Sequence, residues 1–192
     1  MGSDPVVLAF DTSAAHCAAA LLCGDQVVTR CELMGRGQAE RLMPLIDALL
    51  RSQSVALGDL DRIGVGVGPG NFTGIRISVA AARGLALALD VPAIGVSGLQ
   101  ALRFAGGCAR VAVAAPRDMA YFQEGRAAPG MMPADQVPDG TIWAGEPGPM
   151  VAAMARLAAA APDGAGAAAP LYLRAADAAP SRDAPPVMLD DA

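Results

Sequence analysis

Two segments of this 192-residue chain combine residue types that can do chemistry. Asp11-Thr12-Ser13 closes an apolar run, so a carboxylate and two hydroxyls fall at the tip of a predicted hairpin, where they could hold phosphate or a hydrated magnesium ion or could instead cap a turn. The second is Gly64-Val-Gly-Val-Gly68-Pro-Gly70-Asn-Phe-Thr73-Gly74-Ile-Arg76, a glycine-dense loop that runs from a predicted strand into the amino terminus of a predicted helix. Exposed N–H groups and the helix dipole at such a place suit an anion. The loop fits neither G-x-G-x-x-G nor G-x-x-x-x-G-K-[ST], because the required positions hold Asn71 or lack lysine. Two readings stand side by side: Gly68, Gly70, Thr73 and Gly74 cradle a nucleotide together with Asp11, Thr12 and Ser13, or the glycines serve close backbone packing and Thr73 caps the helix.

Other chemistry is excluded by what the chain lacks. All 14 Lys+Arg positions are arginine, which removes a Walker-type phosphate lysine, a Schiff-base lysine and a lysine general base together. His16 is the single histidine, so a metal site built from paired histidines cannot form, and its place in an apolar run reads as a satisfied core or surface residue. Gly95-Val-Ser97-Gly98 resembles a nucleophile elbow but lacks the second glycine spacing and a free base. Cys17, Cys23, Cys31 and Cys108 show no C-x-x-C pair and read as reduced, small hydrophobes. A net charge of -5 with 4% aromatic residues argues against a basic groove with stacking platforms. The amino terminus does not read as a signal peptide, and the apolar stretch from Val91 to Leu102 is too short to span a bilayer, so a cytoplasmic protein with no membrane association is expected.

The elements that must position these residues follow from periodicity. Val6 to Phe10, Ala18 to Leu22 and Val27 to Leu33 are joined by connections too short for crossover helices, which predicts an antiparallel three-stranded meander. Leu42, Leu45, Ile46, Leu49 and Leu50 then share one side of a helix over about 38–52, with Pro44 expected near its first turn. A strand at Ile63 to Val67, a helix at Gly74 to Leu89 and a strand at Ala93 to Val96 complete two right-handed crossovers, giving an α/β fold with a mixed five-stranded sheet. This order of elements is that of the ribonuclease-H-like, actin-type ATPase half-domain. After Gly106 the pattern weakens to strands at Arg110 to Ala114 and Ala120 to Gln123 and an Ala-rich helix near Met150 to Ala161. The expected organisation is therefore an amino-terminal domain over 1–105, a reduced second lobe over 106–174 and a disordered acidic tail over 175–192.

Phe10-Asp-Thr-Ser13, Gln38-Ala-Glu-Arg-Leu-Met-Pro-Leu-Ile46, Gly68-Pro-Gly-Asn-Phe-Thr-Gly-Ile-Arg76 and Pro170-Leu-Tyr-Leu-Arg174, in this order, resemble the TsaB (YeaZ) family. The likeness covers 6–104 and, briefly, 170–174. It implies a noncatalytic, glycoprotease-like paralogue of TsaD that supports threonylcarbamoyladenosine synthesis in tRNA, pairing with TsaD through the two helices at about 38–52 and 74–89, joined by the P-loop ATPase TsaE and forming a homodimer when alone. No cofactor is required by such a chain, ATP or ADP with magnesium is placed at the complex, and tRNA is met only through it. Where the family opens its second lobe with Asp-Ala-Arg and Gly-Glu-x-Tyr, this chain has Ala114-Ala-Pro-Arg117 and Asp118-Met-Ala-Tyr121. The competing readings are an actin-like ATPase or kinase and a metal-dependent peptidase.

The helix at 74–89 carries only Arg76 and Arg83 as charges, seven residues apart on one stripe. A helix this apolar around its circumference is buried on two sides. Ile75, Val79, Ala82, Ala86 and Leu89 are assigned to the sheet, while Ile77, Ala81, Gly84 and Ala88, flanked by Met43, Asp47 and Leu50, form the expected partner interface, the alternative being that a neighbouring helix of the same chain covers them.

Overall fold

The computed structural model describes residues 5–162, 165 and 168–173. The expected tail over 175–192, and Arg174 of the fourth motif, lie outside the described residues. Strands β1 (Val6–Asp11), β2 (His16–Cys23), β3 (Gln26–Leu33), β4 (Arg62–Gly66) and β5 (Ala93–Val96) form one sheet in the order β3-β2-β1-β4-β5. β2 runs antiparallel to β1 and β3, and β4 and β5 run parallel to β1, which is the mixed sheet expected from the connection lengths.

Side chains leave a strand alternately to its two faces, and here both faces are dry. Leu8, Phe10, Cys17, Ala19, Leu21, Ile63 and Val65 pack with helices α1 (Gln38–Ser52) and α2 (Phe72–Leu89). Val7, Ala9, Ala18, Ala20, Leu22, Ile94 and Val96 join a second core with helix α4 (Pro147–Ala159) and Ala101 of helix α3 (Gly98–Gly106). Burial on both faces is why β1 and β2 read as continuous apolar runs. The Ile63-Gly-Val-Gly-Val67 alternation has the same origin: its apolar residues fill the α1/α2 side, and at Gly64 an added Cβ would stand 2.9 Å from Ala158 Cβ of α4.

Four features differ from the sequence expectations. Pro44 is the seventh residue of α1, not in its first turn; the apolar side of Leu42, Leu45, Ile46, Leu49 and Leu50 is buried throughout and holds the helix across the missing N–H. The helix starting at 72 is capped by Asn71, whose side chain accepts from the Gly74 N–H at 3.0 Å, so Thr73 lies within the first turn and is not the cap. Helix α3, capped by Ser97, occupies a stretch whose glycines obscured its period. The Ala-rich helix α4, grouped by sequence with 106–174, packs on β1, β2 and β4 of the first sheet, because the small side chains of Ala155 and Ala158 allow a close approach to glycine-bearing β4.

The second lobe keeps its own sheet, β6 (Arg110–Ala115), β7 (Met119–Glu124), β8 (Gly130–Pro133) and β9 (Ile142–Trp143), in the order β8-β7-β6-β9. Val111 of β6 meets Leu99 and Leu102 of α3 in a small third core that also takes in Leu173.

Candidate functional site

The ends of β1 and β4 meet over the amino terminus of α2, and they meet very closely. Asp11 and Thr12 are fully buried and Ser13 nearly so. Asp11 Oδ2 accepts three hydrogen bonds, from the Ser13 N–H at 3.1 Å, from Ser13 Oγ at 2.9 Å and from His16 Nε2 at 2.8 Å. Its other oxygen, Oδ1, has no hydrogen-bond partner among the described residues and rests against Gly66, where an added Cβ would stand 1.8 Å away. Thr12 Oγ1 donates to the Gly74 carbonyl at 2.7 Å, and the Asn71 N–H donates to the Ser13 carbonyl at 2.6 Å. Side chains at Gly70 and Gly74 would collide with the Ser13 and Thr12 carbonyls at 2.3 and 2.0 Å. These glycines therefore let one backbone lie against the other. Gly68, at φ 102° and joined to Pro69 by a cis peptide, turns the chain beneath Leu171.

All seven residues singled out for nucleotide contact thus converge, but they do not all face outward. The Asp11 carboxylate and the Thr12 and Ser13 hydroxyls are engaged inside the protein, and Gly68 and Gly74 are buried. Ser13, Gly70, Thr73 and Gly74 line a cleft of about 1100 Å³ between the lobes, with Arg36, Gln38, Phe72, Val113, Tyr121 and Tyr172. Asp11 is turned into the protein: Oδ2 already accepts three hydrogen bonds, Oδ1 lies against Gly66, and no three His, Cys, Asp or Glu side chains come together among the described residues. His16, expected as a satisfied core or surface histidine, is buried. Its bond to Asp11, five residues away across the hairpin, was not legible in the sequence.

Burial pushes the Cys17 thiol up to about 11, with Glu32 adding to the rise. The hydrogen bond from Arg41 holds the Glu32 carboxyl below its ordinary range, with Nε to Oε2 at 2.6 Å tying β3 to α1.

The interface residues divide. Gly84 and Ala88 are exposed on α2, Ile77 and Ala81 are half-buried and touch the first core, and Met43 and Asp47 are exposed on the neighbouring α1, where Asp47 pairs with Arg51 at 3.0 Å. Leu50 is only 4% exposed and belongs to the core, since it continues the apolar side of α1. Leu87, 87% exposed, is the large apolar residue of this face that helical periodicity left unassigned. By length and composition α2 could cross a membrane, yet Ile75, Ser78, Val79 and Ala82 are buried and it packs on β1, β4 and β5.

The family model described as TsaD, tRNA N6-adenosine threonylcarbamoyltransferase, matches residues 31–127. Proteins named tRNA threonylcarbamoyladenosine biosynthesis protein TsaB from Haemophilus influenzae and Escherichia coli are each 38% identical over 96 residues. That is 50% of this chain but 41% and 42% of theirs, so the chain spans less than half the length of these curated relatives. Among solved structures, YeaZ from Pseudomonas aeruginosa matches with a TM-score of 0.73 and 28% identity over 88% of this chain and 100% of that one. A second, described as an uncharacterized protein with similarity to peptidase YEAZ from the same organism, matches at 0.75 and 29% over the same shares.

Proposed function

We propose, because this chain belongs to the TsaB (YeaZ) family within the wider TsaD family, that it is a noncatalytic activating subunit for transfer of a threonylcarbamoyl group to the adenosine beside the tRNA anticodon. Its task in this reading is to dock TsaD, which carries the catalysis, through the exposed face of α2 and the adjoining edge of α1. TsaE joins that complex in the cytoplasm, tRNA is met through it, ATP or ADP with magnesium binds at the complex and not on Asp11 alone, and the free chain pairs with itself.

The observation that carries the docking face is the surface of Ala80, Gly84, Leu87 and Ala88, exposed among the described residues, with Met43 exposed on the neighbouring α1. Small side chains at 80, 84 and 88 let another helix approach closely, and Leu87 offers it an anchor. The rival reading as an actin-like ATPase needs a carboxylate free to face the cleft, and Asp11 is bonded to Ser13 and His16 instead. The peptidase reading needs histidines that the chain does not have.

Co-expression with the TsaD of the same organism tests the proposal. The two chains are expected to co-purify, and threonylcarbamoyladenosine formation is expected to depend on this chain. Modification of equal rate without it contradicts the proposal.

A further inference from the structure

We propose that residues 168–173 act as a clasp that closes the interlobe cleft and holds α2 from Phe72 to Arg83. The charged stripe of α2 has its counterpart here. Arg83 Nε donates to the Ala168 carbonyl at 2.8 Å, and Arg76 Nε donates to the Tyr172 hydroxyl at 3.1 Å. Phe72, one turn before Arg76, stacks on Tyr172 with centroids 4.9 Å apart, and the Arg76 guanidinium lies over its ring at 3.9 Å. Residues 72, 76 and 83 thus all engage one short segment, which explains why the only two charges of α2 share a stripe.

The segment also bridges the lobes. The Leu171 N–H donates to the Val67 carbonyl at 2.7 Å and its side chain enters the first core, while Leu173 enters the third core against Leu99, Leu102 and Val111. Leu171, Tyr172 and Leu173 line the cleft. Ala168 is buried, but Tyr172 is 42% exposed and its bond to Arg76 is open to solvent. A bridge made of one leucine per core, the small Ala168 in the first, one backbone hydrogen bond, one ring contact and two arginine contacts belongs to the less stable part of a structure, where local opening precedes global unfolding. Its release uncovers the cleft and frees Phe72, so access to the cleft and the pose of α2 are set by one segment. This holds for the isolated chain, whichever partner α2 docks.

Hydrogen exchange on the full chain, comparing wild type with Leu171→Asp and Tyr172→Ala, decides the matter. Exchange over 67–77 is expected to accelerate about tenfold in the variants while β1 and β2 keep the wild-type rate. Unchanged rates over 67–77, or an equal acceleration across all strands, overturns the clasp. If Leu171→Asp fails to fold, the exposed Tyr172→Ala decides alone by the same two criteria.

Discussion

Among single residues, glycines with the same apparent role in the sequence have opposite roles in the structure. Gly74 leaves no room for a Cβ beneath the Thr12 carbonyl, whereas an added Cβ at Gly84 would meet nothing within 4 Å. Gly74→Ala is therefore expected to cost roughly 3 kcal/mol in chemical denaturation, as overpacking against fixed backbone does. Gly84→Ala, in an exposed helix interior, is expected to add about 0.5–1 kcal/mol. A second expectation concerns Cys17. The folded thiol titrates at about 11, above its unfolded value, so above pH 9 the unfolded chain gives up this proton first and the folded state loses stability as pH rises from about 9 to about 11. Denaturation midpoints of Cys17→Ala against wild type across that range measure the difference, and the variant should lose less. The residue types of the Asp11–Ser13 and Gly68–Gly74 segments were legible, as was their convergence. Which way their polar atoms turn was not, because that depends on Gly66, Gly70 and Gly74 meeting the β1 turn through space.

The amphipathic stripe of α1 and the apolar runs of β1 and β2 announced themselves at the level of elements, since each strongly periodic segment has a single buried side or two. α3 did not, because glycines at both ends broke a nine-residue pattern. The existence of α4 was legible but its place was not: an Ala-rich helix fits any small-residue surface, and only the glycines of β4 select the first sheet. Met154, fully buried on that sheet, provides the test. Met154→Ala is expected to cost about 2–5 kcal/mol and to lower the unfolding midpoint of the first sheet, followed by exchange in β1 and β4. If the loss is confined to the second lobe, α4 belongs there instead.

At the scale of the whole molecule, the cleft and the exposed face of α1 and α2 differ in character. At the cleft floor Asp11 Oδ2 and the Thr12 and Ser13 hydroxyls are bonded within the protein, while Ala80, Gly84, Leu87 and Ala88 of the helix face are exposed among the described residues. That exposure places the informative substitutions. Ala81 is half-buried against the core, so a charge there also strikes the free chain, whereas Ala88 is exposed and a charge there is felt only when a partner arrives. The most direct measurement of the central claim is a titration of purified TsaD with wild-type chain and with Ala88→Glu, followed by size-exclusion chromatography, with circular dichroism to compare the folds. The account predicts a stable heterodimer for wild type and a normally folded Ala88→Glu that elutes alone. An Ala88→Glu chain that co-elutes with TsaD as fully as wild type would contradict it.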